Sequence, residues 1–369
     1  MKHRILSYKI FLFLTFGTFL LLLPENSYGS PIGSNSWHVN SPFQAKSNAD
    51  VVCKIKVHSI RQEEDIKSNL SPGEPDVSRM RARSKVISVI KGECPQVIDI
   101  EFHYPKDRKP IASPPNGHTY TGLSENEVCI VFLKQEKPFY KLNRINSKLR
   151  VEAEVVDYNL GDTPDLRLLA EFLAACNSDN ELIKLQAVEE LGYLGNTMIH
   201  QIYRSPYLDS KQVLERCIEM DSALEKARQT IKKMYSSRDV AIKNLAVIAS
   251  FQVGVSPGLE KPLELLRMNP SDFGPNDSLK KYGIPDFCIS SLQLRLLQTM
   301  DSTTRRFLVN LKDQSIIKKE SGSYLRGVPD FDYAEFAKQA AQCKVVKDNK
   351  EMLSAIAHIL WITDDRYIR

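Results

Sequence analysis

Near residue 158 the apolar residues of this chain change their spacing: before it they alternate, and after it they recur every third or fourth position. A period of two belongs to a strand with one buried face, and a period near 3.6 to a helix with one buried stripe. One element cannot satisfy both. The sequence therefore predicts a multidomain β plus α protein, with a small β-barrel over 47–158 and an α-helical stack over 159–369.

The first segment supplies short alternating runs. In Val51-Val52-Cys53-Lys54-Ile55-Lys56-Val57, the residues Val51, Cys53, Ile55 and Val57 share one face, while Lys54 and Lys56 share the other. Such a strand is half-buried. Gln62 to Ser78 is charged and contains Ser71-Pro72-Gly73, so a long hairpin loop is expected there. Further strands are expected over 81–90, 97–102, 127–133, 139–142 and 149–155. The run Glu127 to Leu133 is apolar on both faces and reads as central. Five or more short strands within about a hundred residues predict a small barrel or sandwich.

Ala49-Asp50-Val51-Val52, then Val86-Ile87-Ser88-Val89-Ile90-Lys91-Gly92, then Glu127-Val128-Cys129-Ile130-Val131-Phe132-Leu133 carry a resemblance. This pattern resembles exported bacterial domains similar to the netrin-like module of tissue inhibitors of metalloproteinases. That module is a five-stranded OB-type barrel, so the resemblance implies an OB-type fold for roughly 47–157. The animal inhibitors chelate a protease's zinc through an N-terminal cysteine. Here the first cysteine is Cys53, well inside the chain. The inhibitory group does not carry over.

In the second segment, Pro164 or Asp165 opens a helix ending near Cys176, with Leu166, Leu169, Ala170 and Leu173 on one face. Asp179-Asn180 caps a second helix with the stripe Leu182, Leu185, Val188 and Leu191, and Gly192 and Gly195 are expected to mark its end. From Asp209 or Ser210 to Tyr235, the residues Val213, Cys217, Met220, Leu224, Ala227, Ile231 and Met234 form an unbroken a/d seam. Packing within the chain is the expected use of that seam; a homo-oligomer through 210–235 is the alternative. More helices are expected over 257–268, 286–300, 303–311, 332–342 and 350–363.

Ile183 to Val188 is echoed by Ile242 to Val247, and Gly195 by Gly254. The segment from Glu181 to Gly195, with Lys184, Ala187 and Leu191-Gly192, resembles the inner helix of a HEAT repeat. That resemblance implies an irregular HEAT-like stack in which the small residues let neighbouring helices approach closely.

Lys2, Arg4 and Lys9 precede an apolar run of 14 residues, Ile10 to Leu23, followed by Pro24 and by small residues at Ser27 and Gly29. This is the grammar of a cleavable secretory signal, 1–29. It leaves a Ser-, Pro- and Asn-rich leader over 30–46 and a chain of about 340 residues. The run is too short to span a bilayer comfortably, and no second one follows. The protein is expected to be exported, to the periplasm or beyond, without a stable membrane span after cleavage.

The formal net charge is +5, two units of it in the signal, and the remaining acidic and basic residues interleave. Nucleic acid is therefore not an expected partner. The seven cysteines contain no Cys-x-x-Cys pair, which argues against zinc. Cys53 is expected to form a disulfide with Cys94 or with Cys129.

Nucleophile elbows, phosphate loops and His-Glu-x-x-His are missing from the sequence. His118 lies in a glycine-bounded loop with no second histidine at ligand spacing, and Glu189-Glu190 are adjacent on a helix with different faces. No catalytic residue, cofactor or metal ligand is assigned. Loops holding His118, Phe273, Tyr324 and Arg326 are the candidate interaction surfaces. The expected function is a non-enzymatic binding or scaffold protein whose partner is another envelope or extracellular protein. The alternatives are an inhibitor-like module lacking the chelating cysteine, or a hydrolase with a site at the domain junction near Tyr158.

Overall fold

A computed structural model describes residues 49–66, 77–105, 122–142, 148–204, 210–269, 289–317, 328 and 331–363, with backbone alone at 66, 77, 105, 200–204, 210–220 and 305–317. The expected signal and leader lie outside these residues. Among the described residues six strands come first: β1 (Val51–Ile66), β2 (Val77–Lys91), β3 (Val97–Pro105), β4 (Val128–Glu136), β5 (Phe139–Leu142) and β6 (Lys148–Arg150). They hydrogen-bond in the order β1-β2-β3-β5-β4, and β4 returns to β1, so five strands close a barrel, with β6 laid along β4. The β3–β5 pair is parallel.

The strands are longer than their alternating cores. Gln62–Ile66 and Val77–Ser78 belong to the β1–β2 ladder rather than to a loop, because their backbones keep pairing after the apolar pattern has stopped. In the other direction, 151–155 leaves the sheet after Arg150.

Alternation sorts β1 and β4 into two cores. Val51, Cys53, Ile55 and Val57 point inward with Cys129, Val131 and Leu133, joined by Ala82, Ile98, Ile100, Phe102, Tyr140 and Leu142. The opposite face holds Val52, Ile130 and Phe132, which share a second buried cluster with the helical residues Leu166, Leu168, Leu169 and Phe172. All five residues from Cys129 to Leu133 are buried. Thus β4 is apolar on both sides because both sides are covered: one by the barrel interior, the other by the helical core. Lys54 belongs to that second face, and the expectation that it shares an open face with Lys56 is corrected: Lys54 is buried, and only Lys56 is exposed.

Among the described residues the helices are α1 (Pro164–Ala175), α2 (Glu181–Arg204), α3 (Ser210–Met234), α4 (Val240–Val253), α5 (Glu260–Arg267), α6 (Ile289–Ile317), α7 (Tyr333–Ala340), α8 (Lys344–Lys347) and α9 (Lys350–Thr363). Their starts follow capping chemistry. Thr163 Oγ1 accepts from Leu166 N, Asn180 Oδ1 from Leu182 N and Ile183 N, and Asp239 from Ala241 N and Ile242 N. Helix α4 is buried on nearly every side and ends at Gly254, whose φ is 76°.

Two expected helix ends are absent. Gly192 and Gly195 lie inside α2, at its closest approach to α4. A Cβ on Gly192 would sit 3.0 Å from Ala249 Cβ, and one on Gly195 would sit 2.6 Å from Val253 Cγ1. The missing side chains are an interhelical contact, not a stop. Likewise, the separate helices expected at 286–300 and 303–311 are one helix, α6. Asp301-Ser302-Thr303-Thr304 does not interrupt it, because the Thr303 and Thr304 hydroxyls donate back to the carbonyls of Thr299 and Met300 and stay within the helix.

In the seam on α3, Leu224, Ala227 and Ile231 are buried in the helical core, with Met234 half-buried beside them. Val213, Cys217 and Met220 lie outside the described side chains.

Candidate functional site

His118, Phe273, Tyr324 and Arg326 all lie outside the described residues. Of the cysteines singled out, Cys53 and Cys129 are fully buried in the barrel interior, and Cys94 packs half-buried against the same cluster; all three are thiols. Polar and aromatic side chains gather functionally in three other places.

The first is the barrel–helix junction. Lys54 Nζ lies 2.9 Å from Glu171 Oε2 and donates to the Glu154 carbonyl at 2.6 Å. Tyr158 donates to Glu171 Oε1 at 2.8 Å and receives the Ser88 hydroxyl at 2.8 Å. Burial, more than any neighbour, pushes the Tyr158 hydroxyl up to about 12, which keeps it a donor at neutral pH. Arg167 reaches the Val89 carbonyl at 3.0 Å and sits over the Tyr158 ring. Lys54 and Glu171 are only 2% and 1% exposed. They neutralise each other across the junction and tie β1 to α1.

The second lies between α2 and α6. Arg295 Nη1 is 2.7 Å from Glu189 Oε1, and its Nη2 donates to the Tyr193 hydroxyl at 2.8 Å. Burial raises the Tyr193 hydroxyl far above the ordinary tyrosine range. Glu190 is buried beside them. Burial first, then the charge of Glu189, holds its carboxyl well above the usual range, against the opposing pull of Arg295. Arg295 and Tyr193 were not anticipated. A single arginine among Leu292, Leu294, Leu296 and Leu297 was the available signal, since a charge in such a window needs a buried partner.

The third is outward-facing. On α9, Leu353 and Trp361 are 39% and 48% exposed, and Ala357 between them is exposed as well. Spacings of four place all three on one helical face. Trp361 stacks on His358 with ring centroids 5.7 Å apart and planes 24° apart. His358 Nδ1 in turn hydrogen-bonds the Asp301 carboxylate of α6. The His358 ring stays partly exposed. The indole is thus exposed but held in place.

No family model matches the chain, and no curated protein matches it.

Among the described residues, no three metal-ligating side chains converge, and no helix is long and apolar enough to cross a membrane. The α9 face, with its anchored tryptophan, is the candidate functional site. Its chemistry is that of contact. A large amphipathic ring whose rotamer is already fixed loses little entropy when a partner covers it.

Proposed function

We propose that this is an exported, non-enzymatic binding or scaffold protein of the periplasm or extracellular space, and that the Leu353–Ala357–Trp361 face of α9 is where it holds a protein partner. The observation that carries this reading is the anchored exposure of Trp361. The outward face of α9 is apolar and aromatic. Tryptophan is also among the residues that dominate binding energy at interfaces. By contrast, the charges at the junction and between α2 and α6 lie buried against each other, which favours a tie over a reactive centre.

The architecture supports the same reading. The order β1-β2-β3-β5-β4, closed by β4 onto β1 and with β3 parallel to β5, supports an OB-type barrel of netrin-like character. The echoed segments lie on α2 and α4, which touch at Gly192 and Ala249. That contact supports a HEAT-like stack.

A photoreactive side chain placed at Ala357 tests the proposal in the native compartment, with the same probe at the exposed Arg238 as control. The expected result is one discrete protein adduct at 357, none at 238, and loss of the 357 adduct in Trp361→Ala. No adduct at 357, or one that survives Trp361→Ala, would overturn it.

A further inference from the structure

The three cysteines of the barrel segment meet at one place in its wall. Cys53 lies on the inward face of β1 opposite Val131, and Cys129 lies two residues away along β4, opposite Ile55. Cys94 arrives from the turn between β2 and β3, and two contacts pin that turn. Lys91 Nζ donates to the Ala49 carbonyl at 2.5 Å. Gly92, with φ 75°, approaches β1 so closely that a Cβ would stand 2.4 Å from the Asp50 carbonyl oxygen. The Ala49-Asp50 and Lys91-Gly92 dipeptides, distant in sequence, are therefore one contact in the fold. That contact carries Cys94 back over the barrel, where it packs against the inward cluster that holds Cys53 and Cys129.

We propose that Cys53 and Cys94 form a redox-active pair that closes to a disulfide, with Cys94 as the entry thiol and Cys129 left outside the bond. The strand register decides between the two possible partners of Cys53. Diagonal neighbours on adjacent strands have Cα atoms roughly 7–8 Å apart, whereas a disulfide needs about 4.4–6.8 Å. Cys53 and Cys129 are such diagonal neighbours. Cys94 is not bound by the ladder, and it packs against the cluster that holds Cys53.

Access decides the order of events. Cys53 and Cys129 are fully buried, and Cys94 is partly exposed. The neighbouring Cys53 thiol draws the Cys94 thiol below the ordinary cysteine range, and the thiolate is the attacking species. Cys94 attacks a small disulfide donor, such as oxidised glutathione. The donor's S–S bond breaks and one thiolate leaves. The Cys53 thiol then attacks the Cys94 sulfur of the mixed disulfide and passes its proton to the departing donor sulfur, which leaves as the second donor thiol. Two protein thiols are oxidised and one donor disulfide is reduced to two thiols.

Full-length protein, purified reduced and then treated with oxidised glutathione, tests this independently of where the protein resides. Free thiols are alkylated under denaturing conditions and the protein is digested without reduction. The expected products are a linked Cys53–Cys94 peptide and an alkylated Cys129. Cys53→Ala should trap glutathione on Cys94, whereas Cys94→Ser should leave Cys53 unmodified and unlinked. A Cys53–Cys129 link, glutathione on Cys53 in Cys94→Ser, or alkyl label on both Cys53 and Cys94 after oxidation would overturn the proposal.

Discussion

Lys54 and Glu171 stand 117 residues apart in the chain and 2.9 Å apart in the fold, each almost fully withdrawn from water. With Tyr158, Ser88 and Arg167, the pair forms the polar part of a seam in which Val52, Ile130 and Phe132 of the barrel wall meet the helical core. A buried ion pair adds little over an apolar pair of similar size, but breaking it strands a charge. Lys54→Ala should therefore cost roughly 3–5 kcal/mol, whereas Lys54→Met combined with Glu171→Leu should recover most of that loss. Chemical denaturation of the single and double variants measures both. A single variant within experimental error of wild type would contradict the tie.

Glu190 makes stability depend on pH in a defined direction. Its folded carboxyl titrates well above the unfolded value, chiefly because it is buried. The native state therefore holds a proton that the unfolded state has released, and stability falls as pH rises from the ordinary glutamate range toward the folded value. Glu190→Gln removes that slope. The variant should match wild type near pH 4 and exceed it by a widening margin toward pH 8, measured as denaturation midpoints. Parallel curves across that range would contradict the assignment.

Gly92 combines a left-handed backbone with a close approach to Asp50. A side chain there incurs roughly 1–2 kcal/mol of conformational strain and meets a backbone oxygen that cannot swing away. Gly92→Ala should thus lose at least about 2 kcal/mol of stability in urea unfolding. A neutral substitution would mean that the turn does not rest on β1.

Trp361 separates binding from stability. At 48% exposure, its replacement by alanine should change the unfolding free energy by no more than about 0.5 kcal/mol. It should nevertheless weaken the captured partner by roughly thirtyfold, the equivalent of about 2 kcal/mol at an interface hot spot. Titration of the crosslinked partner against both proteins reads the difference. Equal affinities would place the contact elsewhere.

The change from a period of two to one of three or four is a local property, and so the barrel and the helices were legible from residue spacing. The cap at Asn180 was legible for the same reason. What a face meets is not local. The alternation of β1 assigns Lys54 to a side, but nothing nearby in sequence says that α1 covers that side. Gly192 and Gly195 have the composition of a helix end, yet they serve α4, more than forty residues away. Arg295 and Tyr193 are separated by 102 residues. The α9 face escaped notice for a simpler reason: Leu353, Ala357 and Trp361 read as ordinary members of an apolar helix until their exposure is known.

The central claim is that the β1–β4 wall, buried on both faces, makes barrel and helices one cooperative body that presents α9 on a rigid frame. Native-state hydrogen exchange with increasing denaturant tests it most directly, by comparing peptides from Cys129–Leu133 with those from Leu166–Ala175. Both should exchange through the same opening, with the same free energy and the same denaturant dependence. Helical peptides that open at a separate, lower free energy while the barrel stays protected would contradict it.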